Sequence, residues 1–231
     1  MNKLLITSAA ALLLAACGTD DNDTVISDES VKSWNTALKT MPLTKIFIES
    51  HHKEVRQGVT YIDDVLIVNK KIALPADYNP GENKTARREI ERLMTAGNRE
   101  GLQFVIRSGY RTYEHQAQLY SEYVARDGQV AADKYSAQPG HSEHQTGLTF
   151  DIGSVASAND FRISFGNTPE GAWLQDHAHE YGFIIRYPEG KEHITGYQYE
   201  PWHVRYVGQS LAEELYDSHE TLEEYLGLYK Q

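Results

Sequence analysis

A single cysteine in 231 residues excludes a disulfide framework. Clustered positive charge is also missing. No run of Lys and Arg exceeds two residues, and 33 acidic side chains outnumber 22 basic ones for a formal net charge of -11. That argues against nucleic acid as a partner, because binding it needs grouped cations. The one strongly apolar run, within residues 1–16, is too short to span a bilayer as a mature helix. What remains is ordinary globular composition, 40% hydrophobic and 24% charged, long enough for one domain with a real core.

The chain starts MNKLLITSAAALLLAAC, a lysine followed by an apolar stretch and small residues, which reads as a secretory signal. Leu14-Ala15-Ala16-Cys17 resembles the lipobox of bacterial lipoproteins. The resemblance implies cleavage after residue 16 and a lipid on the sulfur of Cys17. Residues 17–45, polar and acidic at first, then read as a flexible tether, and residues 46–231 as the folded domain. The expected location is the outer face of the cell membrane, or the periplasm if the cell has two membranes. The expected state is a monomer. An exported chain without disulfides draws its stability from its core, with help from a metal if it holds one.

Within the later part of the tether and at the start of the domain, Trp34, Leu38 and Ile46-Phe47-Ile48 suggest a short helix and an edge strand. Residues 61–75 carry two apolar bursts around Asn69-Lys70-Lys71, which predicts a hairpin. From Thr85 the period changes: Ala86, Ile90, Leu93, Met94 and Gly97 mark one face of a helix. Phe104-Val105-Ile106 is a short strand leading to Ser108-Gly109-Tyr110-Arg111. A second helix is expected over 112–126, a third over 169–181, strands at 183–185 and 202–207, and a last amphipathic helix over 211–229. The class is α+β, helices flanking a small, mostly antiparallel sheet.

The stretch SEHQTGLTFDIG, residues 142–153, carries the chemistry. Leu148, Phe150 and Ile152 share one strand face, and Thr149 and Asp151 the other. In a straight strand His144 and Asp151 would lie about 23 Å apart on opposite faces. They converge only if the chain bends, and Gly147 is the residue that permits a bend at positive φ. A second cluster, Glu200-Pro201-Trp202-His203, enters another strand. If that strand pairs beside Asp151, two imidazoles and one carboxylate meet as a three-ligand zinc site with a fourth position for water. Glu200 is then at hand to take a proton from that water.

S-x-H-x-x-G-x-x-x-D followed by E-P-W-H resembles the VanY-type zinc D-alanyl-D-alanine carboxypeptidases. The related D-Ala-D-Ala dipeptidases and the hedgehog signalling domain are similar in metal arrangement. Ser108-Gly109-Tyr110-Arg111, Gln116, Pro139-Gly140 and Arg205-Tyr206-Val207-Gly208 extend the match. The resemblance implies a hedgehog/D-Ala-D-Ala-peptidase-like fold with Zn2+ on His144, Asp151 and His203. It implies Glu200 as general base and Arg111 as the group that stabilises the oxyanion. It further implies Gln116, Ser142, Tyr110 and Trp202 as contacts to the substrate, peptidoglycan stem peptides. Leu148-Thr149-Phe150 departs from the small residue and valine more usual before the aspartate, and Thr149 is placed to hydrogen-bond Asp151. Of the other histidines, His115 and His141 compete for a place in the cleft, while His51, His52, His177 and His179 read as solvated.

Three functions follow. The first is a D,D-carboxypeptidase removing the terminal D-alanine of a stem peptide. The second is an L,D-carboxypeptidase acting on tetrapeptide stems. The third is a non-catalytic zinc-containing wall-binding lipoprotein, which the presence of both Glu200 and Arg111 disfavours.

Overall fold

A computed structural model describes residues 51–156 and 158–229. The expected signal peptide, the tether with Cys17, and the helix and strand read around Trp34 and Ile46-Phe47-Ile48 lie outside the described residues. The rest is α+β, as the sequence predicts. Three short strands, β1 (Lys53–Arg56), β2 (Val59–Ile62) and β3 (Val65–Leu66), form an antiparallel meander. Strands β4 (Phe104–Ser108), β5 (Thr149–Ser154), β6 (Phe183–Ile185) and β7 (His203–Tyr206) form the central sheet in the order β4-β5-β7-β6, every pair antiparallel.

Helix α1 (Lys84–Arg99) begins where the Asn83 side chain accepts the Thr85 and Ala86 amides, and it buries Ala86, Ile90, Leu93 and Gly97 at helical spacing. That face packs with Phe104, Phe150, Ile152, Leu174, Phe183 and Val204 in the main core. Helix α2 (Tyr113–Asp127) is capped by Thr112, and α3 (Gln129–Tyr135), which the sequence reading lacks, follows after Gly128. Helix α4 (Pro169–His177) starts with proline in its first turn and tightens into a 3-10 turn over Ala178–Tyr181. A short helix α5 (Glu192–Thr195) lies between β6 and β7.

Two expectations are corrected. The hairpin turns at Asp63-Asp64, both at positive φ, and not at Asn69. Asn69 does make a turn, since its side chain accepts the Lys71 and Ile72 amides. The apolar residues before it, however, are buried in two separate clusters, Ile67 in one and Val68 in another, instead of pairing with a returning strand. The last helix is also two helices, α6 (Gln209–Ser218) and α7 (Leu222–Tyr225). His219 takes positive φ, and a Thr221–Glu224 capping box restarts the chain. The break lets Leu222 and Leu226 close on Leu215 and turns Glu223 inward.

The alternation of apolar and polar residues along β5 predicts a half-buried strand. All six of its residues are buried, because its polar face forms the floor of the site.

Candidate metal centre and active site

The bend is where the sequence places it. After Ser142 the chain makes a 3-10 turn, Glu143–Thr146, and leaves it through Gly147 at φ 72. A Cβ on Gly147 would fall on the carbonyl oxygen of Gly81, so the position needs glycine for space as well as for φ. The turn carries His144 back over β5, where its Nε2 lies 3.1 Å from Asp151 Oδ2. On the other side β7 pairs with β5 so that His203 stands directly opposite Asp151, with Nδ1 3.2 Å from Asp151 Oδ1.

One ligand atom from each of His144, Asp151 and His203 can be chosen so that all lie within 4.8 Å of one another, and all three residues are buried. The His144 Nδ1 is 2.8 Å from the Gly109 carbonyl, to which it donates, so Nε2 keeps its lone pair toward the centre. Asp151 Oδ1 is buried without a hydrogen-bond partner. A buried carboxylate oxygen left unpaired between two imidazoles is costly unless a cation takes it up. The two-nitrogen, one-oxygen set fits zinc with a position open for water.

Charge follows the same geometry. Burial works against the ionised Asp151, yet the two histidines hold its carboxyl well below the usual range. Burial pushes His144 down, and Arg111 adds to this against the pull of Asp151. For His203 burial again favours the neutral ring, but Asp151, Glu143 and Glu200 outweigh it and raise the group to about 9 in the metal-free protein. Burial raises Glu200 to about 8, opposed by His203 and reinforced by Asp151. Glu200 Oε2 is 3.7 Å from His203 Nδ1, on the metal side of the ring.

A cavity of about 390 Å³ opens onto this centre, and Arg111, Gln116, Ser142, Glu200 and Trp202 all line it. Arg111 follows β4 and is held at three points. Its amide donates to the His144 carbonyl at 3.2 Å, and its guanidinium donates to Gln116 Oε1 at 2.8 Å and Ser108 Oγ at 2.9 Å. Gln116, expected at the substrate, spends both ends of its amide on the protein, since its Nε2 donates to the Ala137 carbonyl at 2.7 Å. These bonds fix Gln116 against Arg111 while it still lines the cavity. Trp202 packs edge-on against Phe161 as a wall. Tyr110 is not among the lining residues, and its hydroxyl donates to Asn79. Thr149 is fully buried with an unpaired hydroxyl and makes no bond to Asp151. His141 Nδ1 bonds the Asn69 carbonyl outside the cavity, and His115 is exposed on α2.

The sequence reading missed the groups behind the site. Glu143, Arg186, Arg205 and Glu223 form a buried ionic cluster. Tyr187, from the loop between β6 and β7, lies tilted against the His203 ring and is backed in turn by Tyr197. No spacing rule joins these residues; only alternation in β7, which points Arg205 to the same side as His203, hints at them.

The family described as VanY, D-alanyl-D-alanine carboxypeptidase, matches residues 81–209. A putative carboxypeptidase of Bacillus subtilis, YodJ, is 41% identical over 71% of this chain and 67% of its own. The crystal structure of an L,D-carboxypeptidase, DacB from Streptococcus pneumoniae, is 43% identical with a TM-score of 0.71, covering 77% of this chain and 96% of that one. A vancomycin-resistance D,D-pentapeptidase VanY, solved in complex with Zn(II), is 34% identical with a TM-score of 0.61, covering 69% and 97%. This chain thus spans about two thirds of the curated relative and nearly all of the solved domains. With the two histidines and the aspartate converging as the motif requires, in a donor set that fits the zinc held by the related D,D-pentapeptidase, the chain belongs to the VanY family of D-alanyl-D-alanine carboxypeptidases.

Proposed function

We propose that the protein removes the C-terminal D-alanine from peptidoglycan stem peptides, as a D,D-carboxypeptidase. The observation that carries this is the placement of Glu200, a buried carboxyl 3.7 Å from His203 Nδ1, beside three converging metal ligands in an open cavity. His144, Asp151 and His203 would hold the metal. Zinc supplies a Lewis acid that makes water nucleophilic near neutral pH. Glu200 takes the proton of the attacking water and returns it to the departing amine of D-alanine. Arg111, fixed by Gln116 and Ser108, donates to the oxygen of the scissile carbonyl as it gains charge. The Ser142 hydroxyl faces the peptide, and Trp202 with Phe161 shields the reacting bond from bulk water.

The second reading is L,D-cleavage of a tetrapeptide stem, and the higher identity to DacB than to the D,D-pentapeptidase favours it. Both readings are tested by incubating zinc-loaded protein with defined penta- and tetrapeptides and measuring released D-alanine. D,D-activity predicts turnover of the pentapeptide, lost on chelation and restored by zinc. Turnover of the tetrapeptide alone would establish the second reading, and release that survives chelation would overturn both.

The lipobox-like Leu14-Ala15-Ala16-Cys17 supports a further part of the proposal, that a lipid on Cys17 tethers a monomeric enzyme to the outer face of the membrane. Among the described residues no helix is long and apolar enough to cross a membrane. Incorporation of labelled palmitate that disappears in Cys17→Ser is the expected result, and unlabelled protein in the medium would refute the anchor.

A further inference from the structure

Glu143 lies next to a metal ligand in sequence, belongs to the lining of the same cavity, and is 1% exposed. Its Oε1 accepts from Arg186 Nε at 2.7 Å and from a terminal nitrogen of Arg205 at 2.8 Å. Its Oε2 has no hydrogen-bond partner. That oxygen is 3.6 Å from His203 Nε2, which is itself buried and without a partner. Two unpaired buried polar atoms thus face one another across the ring whose opposite nitrogen, Nδ1, faces Asp151 and Glu200.

A purely structural role for Glu143 explains half of this. Two buried guanidiniums need compensating charge, and Glu143 and Glu223 provide it. A counterion alone would favour a bidentate grip using both oxygens. Here one oxygen takes both arginines and the other is left for the imidazole. The arginines are held in turn: Arg186 forks onto both oxygens of Glu223 on α7 at 2.8 and 2.6 Å, and Arg205 donates to the Leu66 carbonyl at 2.6 Å. Asn69 Nδ2 donates to Glu223 as well.

We infer that Glu143 is the positioning residue for His203, receiving the Nε2–H of its imidazole so that Nδ1 is presented to the metal, and that the Arg186–Glu223 clamp holds Glu143 for this task. A carboxylate behind a ligating histidine fixes the tautomer and the ring angle and makes the ligating nitrogen more basic; losing such a partner weakens metal binding by about 10–100-fold. The C-terminal helix α7 is thereby tied to the metal site through Glu223, Arg186 and Glu143 in series. The inference rests on the metal reading of the site, and the two fail separately.

The test measures zinc dissociation constants of the full chain by competition with a chromogenic chelator, with the visible spectrum of the cobalt-substituted protein as a second readout. Glu143→Asp keeps the charge facing both arginines but shortens the reach to His203. It is expected to fold, bind zinc about 10–100-fold more weakly and shift the cobalt bands. Glu143→Gln retains the length and loses the charge, with a smaller loss of affinity expected. A merely structural residue would lower the Tm of the metal-free protein and leave both the zinc constant and the cobalt spectrum of the folded form unchanged, which would overturn the inference. If the variants do not fold, the wild type decides. In zinc-loaded protein a nitrogen-correlated proton spectrum of the imidazoles should show the His203 Nε2–H protected from exchange, and a freely exchanging proton refutes the assignment. Wild-type protein that takes up no zinc at all refutes the metal reading instead.

Discussion

The two sides of the His203 ring differ in where their residues come from. On the metal side stand Asp151 and Glu200, one directly across the β5–β7 ladder and the other three positions back in the chain. Behind the ring stand Glu143, Arg186, Arg205 and Glu223, whose mutual bonds join residues 37 to 62 positions apart, with Asn69 reaching Glu223 across 154. The front performs chemistry and is built from short motifs. The back sets orientation and charge and is built from tertiary contacts. The lesson is that a motif specifies what a metal site does, while the cluster beneath decides how firmly it is held.

Substitutions at the front should be read in turnover, with the metal retained. Glu200→Ala is expected to show the largest effect, a fall of about 10²–10⁴-fold in kcat with zinc content unchanged, because the role proposed for Glu200 is to move a proton and it is outside the ligand set. Metal analysis beside steady-state kinetics checks both halves. Arg111→Ala should cost about 10²–10³-fold in kcat, the usual worth of one donor to a developing oxyanion. If the Gln116–Arg111 bond serves to aim the guanidinium, Gln116→Ala should cost less than Arg111→Ala and in the same parameter. A change confined to KM would return Gln116 to the substrate.

At the back, stability is the quantity to watch. Glu223→Ala leaves the fully buried Arg186 with one carboxylate instead of two and should cost about 3–5 kcal/mol, seen as an earlier denaturant midpoint. If turnover falls while stability holds, the division between the two sides is wrong.

The metal-free protein offers a test by pH. The folded state keeps a proton on Glu200 up to about 8, where the unfolded carboxyl loses it near 4.5, and a proton on His203 up to about 9, where the unfolded ring loses it near 6.5. Both groups bind more protons folded than unfolded, so stability is greatest at the acid end of these windows and declines as pH rises through them. His144, held below its ordinary value, works the other way up to about pH 6.5 and offsets Glu200 there, so a falling Tm in chelated protein is expected between about pH 6.5 and 9. Zinc affinity should run the other way, rising with pH, because His203 must give up its proton to ligate. The smallest effect is expected at Thr149→Val. Removing an unpaired buried hydroxyl should be neutral or stabilising by about 1 kcal/mol, with zinc affinity unchanged. A marked loss of affinity would restore Thr149 as a partner of Asp151.

The helices and strands that carry the front were legible because each is announced locally. The 85–97 face repeats at helical spacing, Thr168-Pro169 opens α4, and β5 alternates apolar and polar residues. The hairpin misplaced at Asn69 and the helix drawn unbroken through His219 have one cause. In both, apolar periodicity looked continuous, while side-chain turns at Asn69 and Thr221 redirected the backbone to satisfy separate clusters.

By itself the sequence determined the ligand types, their order, and the bend at Gly147 that lets His144 reach Asp151, since these follow from residue chemistry and backbone sterics over a few positions. Only the tertiary structure decided that β7 pairs in the register setting His203 opposite Asp151, that Gln116 bonds Arg111, and that Glu143 turns one oxygen to His203. Those outcomes depend on burial and long-range pairing, in which the energy of a charged group is set by neighbours that the linear order of residues leaves unspecified.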